Sequence, residues 1–296
     1  MNLHRAGKLV SVISVSYFQM ALSRSMTTIL ITGCSRGIGA GLVAEALHQS
    51  SAFVIATCRS PSSSAELKKL SEVYKEDRLL ILPLDTTSVD SYKTAVENLS
   101  SKGITSIDVL IANAGISNPD HPSDPILTCS TKTMMDVFET NCVGTLLTLQ
   151  NFTPLLEKGS VKLCVLLSSR LASIEQAEGV GGYTSYRASK AAMNMLAMTY
   201  TEDRTVKEAN IRTLCMHPGW VQTDMGERGG RKASVTIADC ARGIHYMISR
   251  ATAVQLETKE SKHTIVDTAD QDQVFERTLR THRCAFTAFD GEMLPW

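Results

Sequence analysis

Tyr186 and Lys190 stand four positions apart in the segment YRASK, a spacing that puts both side chains on one face of a helix. An ammonium beside a phenol favours the phenolate, drawing the phenol pKa down from about 10, and a phenol tuned in this way can protonate a developing alkoxide. Lys190 is also placed to reach a cofactor ribose. Tyr183 has Arg187 at its own fourth position and is the weaker candidate. Taken alone, such a pair is more often an ordinary helix-surface contact, so the chemical reading depends on other signals in the chain.

A second signal is the run TGCSRGIG at 32–39, which follows a short apolar segment and precedes a helical stretch from Ile38 to Gln49. A strand–turn–helix junction aims unpaired N–H groups and the positive end of the helix dipole at one spot, favouring a phosphate or diphosphate. Gly33, Gly37 and Gly39 are spaced Gly-x-x-x-Gly-x-Gly; a turn that merely needs flexible residues is the plainer alternative. An NAD site of this kind carries an acid about 20 residues on to hold the ribose 2′-OH. Here the second apolar run ends in Thr57, Cys58 and Arg59. Arg59 with Arg36 suits a 2′-phosphate, so NADP(H) is preferred over NAD(H), although either arginine alone reads equally well as a solvated charge. Asp85, after the third run, is placed either to receive the adenine or to cap the polar turn Thr86–Ser88.

These residues need a scaffold, and the patterning supplies one. Nearly continuous apolar runs at 28–32, 53–57, 79–83, 108–112, 161–167 and 211–216 alternate with helical stretches at about 38–49, 64–75, 89–101, 131–157 and 186–207. Strands buried on both faces and joined by helices predict an α/β fold, a doubly wound parallel sheet of Rossmann type. No repeat or linker divides residues 26–253, which read as a single domain. From Val254 to Arg283 eleven of thirty residues are charged, which reads as a solvated or partly helical excursion, followed by an apolar tail, Phe286 to Trp296, that docks back on the domain. The first acidic residue is Glu45. The basic, Ser-containing leader over 1–25 therefore reads as a disordered extension, a mitochondrial transit peptide or a weak secretion signal.

Composition narrows the function classes. With 43% hydrophobic and 20% charged residues the chain is an ordinary globular protein. Thirty Lys plus Arg balance thirty Asp plus Glu, so no global field draws in nucleic acid or an anionic membrane. The eight cysteines lack CxxC or His-paired spacing, so no metal site is expected; their place in apolar runs suits a reducing compartment, the cytoplasm, with the mitochondrion as the alternative.

The ordered set TGCSRGIG at 32–39, ANAG at 112–115, ETNCVG at 139–144, SSR at 168–170, YRASK at 186–190 and HPGWVQTDM at 217–225 resembles the short-chain dehydrogenase/reductase family across about 26–225. The resemblance implies catalytic roles for Asn141, Ser169, Tyr186 and Lys190: hydride transfer from a nicotinamide to a carbonyl carbon, with Tyr186 protonating the oxygen and Ser169 hydrogen-bonding it. For Asn141 it implies a water-mediated proton relay ending at Lys190; a tie from helix to backbone is the alternative. It further implies a cofactor crevice at the carboxyl ends of the strands, holding NADP(H) through Gly33, Ser35, Arg36, Gly37, Ile38, Gly39, Arg59 and Asp85. Asn113, Ala114 and Gly115 would flank the ribose, Pro218, Gly219 and Val221 the nicotinamide, and Thr223 its carboxamide or the diphosphate.

Two departures bear on the pocket. Ala112 stands where the family usually has a second Asn, which suggests that one sheet-bracing hydrogen bond is missing. Tyr186 follows Ser169 by seventeen positions, several more than is common, with Gly179, Gly181 and Gly182 in the excess. The long loop and the ending Asp-Gly-x-x-Leu-Pro-Trp are similar to carbonyl reductases of the sniffer type and to C-factor-like proteins. That subgroup implies NADPH-dependent reduction of an aldehyde, ketone or quinone, with a small carbonyl compound as the binding partner. An NADP(H)-binding sensor with little turnover is the alternative, and the intact set Asn141, Ser169, Tyr186 and Lys190 favours the enzyme. The stripe Ala191, Met195, Met198 suits either a homodimer contact or burial within the chain.

Overall fold

The computed structural model describes residues 26–49, 51–120, 123–179, 181–256 and 271–296. Seven strands form one parallel sheet: β1 Thr28–Ile31, β2 Phe53–Cys58, β3 Leu79–Pro83, β4 Val109–Ala112, β5 Leu163–Leu167, β6 Arg212–His217 and β7 Cys284–Ala288. Their order across the sheet is β3-β2-β1-β4-β5-β6-β7. The first connection steps one way from β1 and the later ones step the other way, so the order reverses between β1 and β4 and opens a crevice at the carboxyl ends of those strands.

Helices cover both faces: α1 Gly37–Gln49, α2 Ala65–Val73, α3 Val89–Ser101, α4 Thr131–Phe138, α5 Gly144–Leu156, α6 Thr184–Glu202, α7 Arg204–Glu208, α8 Ile237–Leu256 and α9 Gln271–His282. Successive strand residues point to opposite faces. Ile29 and Ile31 of β1 therefore pack with Leu42, Ile244 and Phe275 from α1, α8 and α9, while Leu30 packs with Tyr92, Phe152 and Met193 from α3, α5 and α6. Every position of β4, β5 and β7 is buried, which is why β4 and β5 read as unbroken apolar runs rather than as alternating ones.

Two elements depart from the sequence reading. The helix expected over 131–157 is interrupted by a π turn at Glu139–Val143, between α4 and α5; such wide turns occur mostly as single bulges at functional sites. The tail does more than dock: Cys284–Ala288 pairs in parallel register with β6 as the seventh strand. Its run CAFTA has a single β-branched residue, which hid it from strand patterning. The boundary drawn at 253 accordingly falls inside α8, which continues to Leu256. The targeting readings of 1–25 and most of the charged excursion, 257–270, lie outside the described residues. Among the described residues no helix is long and apolar enough to cross a membrane.

Candidate active site

The glycine turn is built by lacing the ends of β1 and β4 together. The Thr32 hydroxyl accepts from the backbone N–H groups of Asn113 and Ala114, each at 3.1 Å. Asn113 Nδ2 donates to the carbonyls of Thr32 and Gly33 at 2.8 and 3.0 Å. Asn113 and Thr32 thus brace the strand ends where Ala112 carries no polar group. The approach is so close that a Cβ on Gly33, whose φ is +72°, would lie 2.7 Å from Ala114 Cα, and one on Gly39 would lie 2.2 Å from the Gly33 carbonyl. The first turn of α1 holds no acidic residue, so its N–H groups and dipole face the crevice without an internal counter-charge. Arg36 and Arg59 are exposed at the rim, with Ser35 beside them. This donor set fits an anionic dinucleotide. Arg36 Nε also lies 3.4 Å from Asp224, a pair largely open to solvent and so of little energetic weight. Asp85 takes the capping role: its Oδ1 accepts from Thr87 N and Oγ1 at 3.0 and 2.8 Å.

Farther along the crevice, the first turn of α6 presents Tyr186, and one turn on the Lys190 amine lies 5.9 Å from the centre of the Tyr186 ring. Lys190 is buried and donates to the Leu167 carbonyl at the end of β5, at 2.6 Å. A Cβ on Gly115 would sit 3.4 Å from Lys190 Nζ and 3.2 Å from Asn141 Oδ1, so a larger residue there would crowd the amine and amide. Ser169, just beyond β5, hydrogen-bonds the Tyr186 phenol and accepts from Leu171 N at 3.2 Å. Its neighbour Ser168 instead donates to Asn194, on the buried face of α6, at 2.5 Å.

Asn141 sits in the π turn with its amide fully engaged. Oδ1 accepts from Ile116 N at 2.8 Å, and Nδ2 donates to the Ile116 carbonyl and to Ser189 Oγ at 2.8 and 2.9 Å. The side chain ties helix to backbone and holds the strand exit beside Gly115.

The titration of the pair also differs from expectation. Burial pushes the Tyr186 phenol up to about 12, opposed by the hydrogen bond with Ser169, and burial lowers the Lys190 amine to about 8. The desolvation of the phenol outweighs the neighbouring cation, so the group in place is a protonated phenol, the form a general acid requires. Linkage gives a test. Lys190 binds its proton less tightly folded than unfolded, so its contribution to stability rises with pH between about 8 and 10.5 and is unfavourable below that window. Lys190→Met is expected to unfold at higher denaturant at pH 7, by about 1–3 kcal/mol after allowing for the orphaned Leu167 carbonyl, with the advantage fading above pH 10. A variant less stable at pH 7, measured by urea unfolding, would contradict the burial of a strained cation.

The loop after β6 folds over the turn. Pro218 leads into Gly219, whose φ is +85° and whose Cβ would lie 2.8 Å from the Phe289 ring, so this glycine serves packing against the tail. Val221 is buried. The Thr223 hydroxyl accepts from Gly226 N at 3.0 Å and donates to the Val221 carbonyl at 3.3 Å, spending itself on its own turn. Beyond it, Arg228 donates to the Asn118 carbonyl at 2.8 Å and Arg231 to the Tyr183 hydroxyl at 2.6 Å. The sequence reading passed over Thr32, Ser189, Asp124 and these two arginines. Thr32 is marked by the Thr-Gly at the strand end; the others act across long sequence separations and leave no local pattern.

A doubly wound sheet, a glycine turn at its switch point and a Ser–Tyr–Lys cluster facing one crevice define a dinucleotide-dependent oxidoreductase. Residues 27–233 match the sequence profile of the short chain dehydrogenases, and the chain belongs to that family, whose members use a nicotinamide cofactor. A short-chain dehydrogenase of Neurospora crassa is 33% identical over 265 residues, covering 86% of this chain and 99% of that one. The NADPH-bound carbonyl reductase from chicken fatty liver superposes with a TM-score of 0.73 at 29% identity, over 92% and 94% of the two chains. The carbonyl reductase Sniffer of Drosophila melanogaster gives 0.72 at 27% identity, over 92% and 100%.

Proposed function

We propose that this chain is an NADPH-dependent carbonyl reductase acting on an aldehyde, ketone or quinone. The observation that carries the reading is the half-buried, protonated Tyr186, hydrogen-bonded with Ser169 and set beside the Lys190 amine. When bound, the coenzyme supplies the hydride. The chain supplies the rest: Ser169 and Tyr186 together donate hydrogen bonds to a carbonyl oxygen, and the Tyr186 proton passes to that oxygen as charge develops on it. Lys190, held on the Leu167 carbonyl, keeps a positive charge behind the phenol and favours the tyrosinate formed as the proton leaves. Gly33, Gly37 and Gly39 with the α1 amides would cradle the diphosphate, Asn113 to Gly115 the ribose, and Arg59 and Arg36 the 2′-phosphate. The solved relatives named as carbonyl reductases support the substrate class. All eight cysteines are free thiols, in keeping with a cytoplasmic setting.

A panel of aldehydes, ketones and quinones followed by NADPH absorbance tests the proposal. Consumption of NADPH with formation of the matching alcohol or quinol is expected. Tight NADPH binding with no turnover across the panel would overturn it in favour of a nucleotide sensor.

The apolar stripe on α6 divides: Met198 packs against its own core, whereas Met195 is 66% exposed. We assign this face to a homodimer contact. Met195→Glu is expected to halve the mass found by light scattering, and a wild-type chain already monomeric at micromolar concentration would refute the assignment.

A further inference from the structure

Asp124 is a carboxylate buried to 2% exposure in the loop between β4 and α4, and nothing in the reaction scheme above uses it. Its backbone is left-handed, with φ of 39°, a conformation uncommon outside glycine although Asp tolerates it better than most. Three of its hydrogen bonds reach the start of α6. Its carboxylate accepts from Ser185 N at 2.7 Å and from the Ser185 hydroxyl, and its carbonyl accepts from Thr184 N at 3.1 Å. The preceding carbonyl, of Ser123, accepts from Tyr183 N at 2.5 Å. A Cβ on Gly182 would lie 2.4 Å from that same oxygen, so the glycine-rich excess between Ser169 and Tyr186 is what lets the two loops touch.

The helix needs this support. Tyr183 at its cap position has a left-handed φ of 54° and makes no side-chain cap bond, so α6 borrows its N-terminal cap from about sixty residues upstream. A carboxylate there satisfies N–H groups that helix geometry leaves open and meets the positive end of the dipole. Burial raises the Asp124 carboxyl, but hydrogen bonds from Ser185, Asn118 and Cys129 outweigh it and hold the group below its ordinary value, so it is charged at neutral pH. The far side of the carboxylate accepts from Asn118 Nδ2 at 3.0 Å. Asn118 Oδ1 accepts from Asp120 N at 2.9 Å, and its carbonyl accepts from Arg228 at 2.8 Å. Asp124 therefore joins three loops that border the crevice, immediately beside Tyr186.

We propose that Asp124 is a positioning residue for proton donation: capping α6 through Ser185, it fixes the first turn of the helix and with it the Tyr186 phenol. The inference rests on the reductase reading. Misplacing a reacting group by about 1 Å can cost about a hundredfold in rate, and the first turn of a helix is the part most free to fray.

The test uses the amide geometry of the pair. In Asp124→Asn the new amide can still accept from Ser185, but it then presents N–H groups to Asn118 Nδ2, which cannot turn over without losing Asp120 N. The exchange Asp124→Asn with Asn118→Asp restores the bonds to Ser185, between the two side chains and from Asp120 N. The single variant is expected to lose about ten- to a hundredfold in kcat, with NADPH Kd within about twofold of wild type, and the exchange to recover kcat to within about threefold of wild type. Hydrogen exchange at the Ser185 and Tyr186 amides should accelerate in the single variant and slow again in the exchange. An unchanged kcat in Asp124→Asn, a loss that the exchange leaves in place, or amide exchange indifferent to both variants would overturn the proposal. Should wild type reduce no carbonyl, the reductase reading fails, and the amide exchange still decides the positioning claim.

Discussion

Tyr186→Phe is expected to lower kcat for carbonyl reduction by about 10²–10⁴, the usual worth of a positioned general acid, while NADPH affinity stays within about twofold. The phenol lies against Ser169 and beside Lys190, so phenylalanine keeps the ring, its packing and its place beside the amine, and removes only the hydroxyl. The lost hydrogen bond costs about 1 kcal/mol of stability, too little to unfold a domain of this size. Steady-state rates and a fluorescence titration with NADPH separate the two effects. A variant that turns over at the wild-type rate would show that the proton comes from elsewhere, whatever the geometry of the cluster.

Arg59→Asp should separate the coenzymes. A charge-assisted hydrogen bond is worth about 1.5–3 kcal/mol, and replacing the cation by an anion adds repulsion, so NADPH affinity is expected to fall by about a hundredfold or more. NADH, which has no 2′-phosphate, should change by only a few fold. Arg59 is exposed at the end of β2, the strand end that meets the ribose 2′ group in this fold, so Arg36→Ala is expected to have the smaller effect. Equal losses for the two coenzymes, measured as Kd by titration, would remove the charge argument for NADP(H).

What was legible in the sequence follows from the range of the interactions involved. The six strands from β1 to β6 announce themselves because a strand covered on both faces is apolar at almost every position, as in LCVLL of β5. The glycine turn and the Tyr–Lys pair are contiguous or one helical turn apart, so each leaves a local pattern, and their occurrence together gives it meaning. The seventh strand did not show, because its partners Thr213 to His217 lie about seventy residues away and its own run CAFTA has a single β-branched residue. The same limit hid the cap from Asp124, and it concealed how Asn141 is used: its three side-chain bonds reach Ile116 and Ser189, at separations of 25 and 48 residues. The sign of the Tyr186 shift was missed for a different reason. Spacing reveals the cation but not the depth of burial, and depth decides which effect wins.

The central claim is that one carbonyl receives a hydride from the coenzyme and a proton from Tyr186. Single-turnover reaction of the wild-type chain with NADPH deuterated at the transferring position, under excess aldehyde or ketone, addresses it most directly. One deuterium on the carbinol carbon for each NADPH consumed is expected, with the transfer slowed in heavy water and nearly absent in Tyr186→Phe. NADPH oxidised without label on that carbon, or label transferred equally fast without the phenol, would contradict the account.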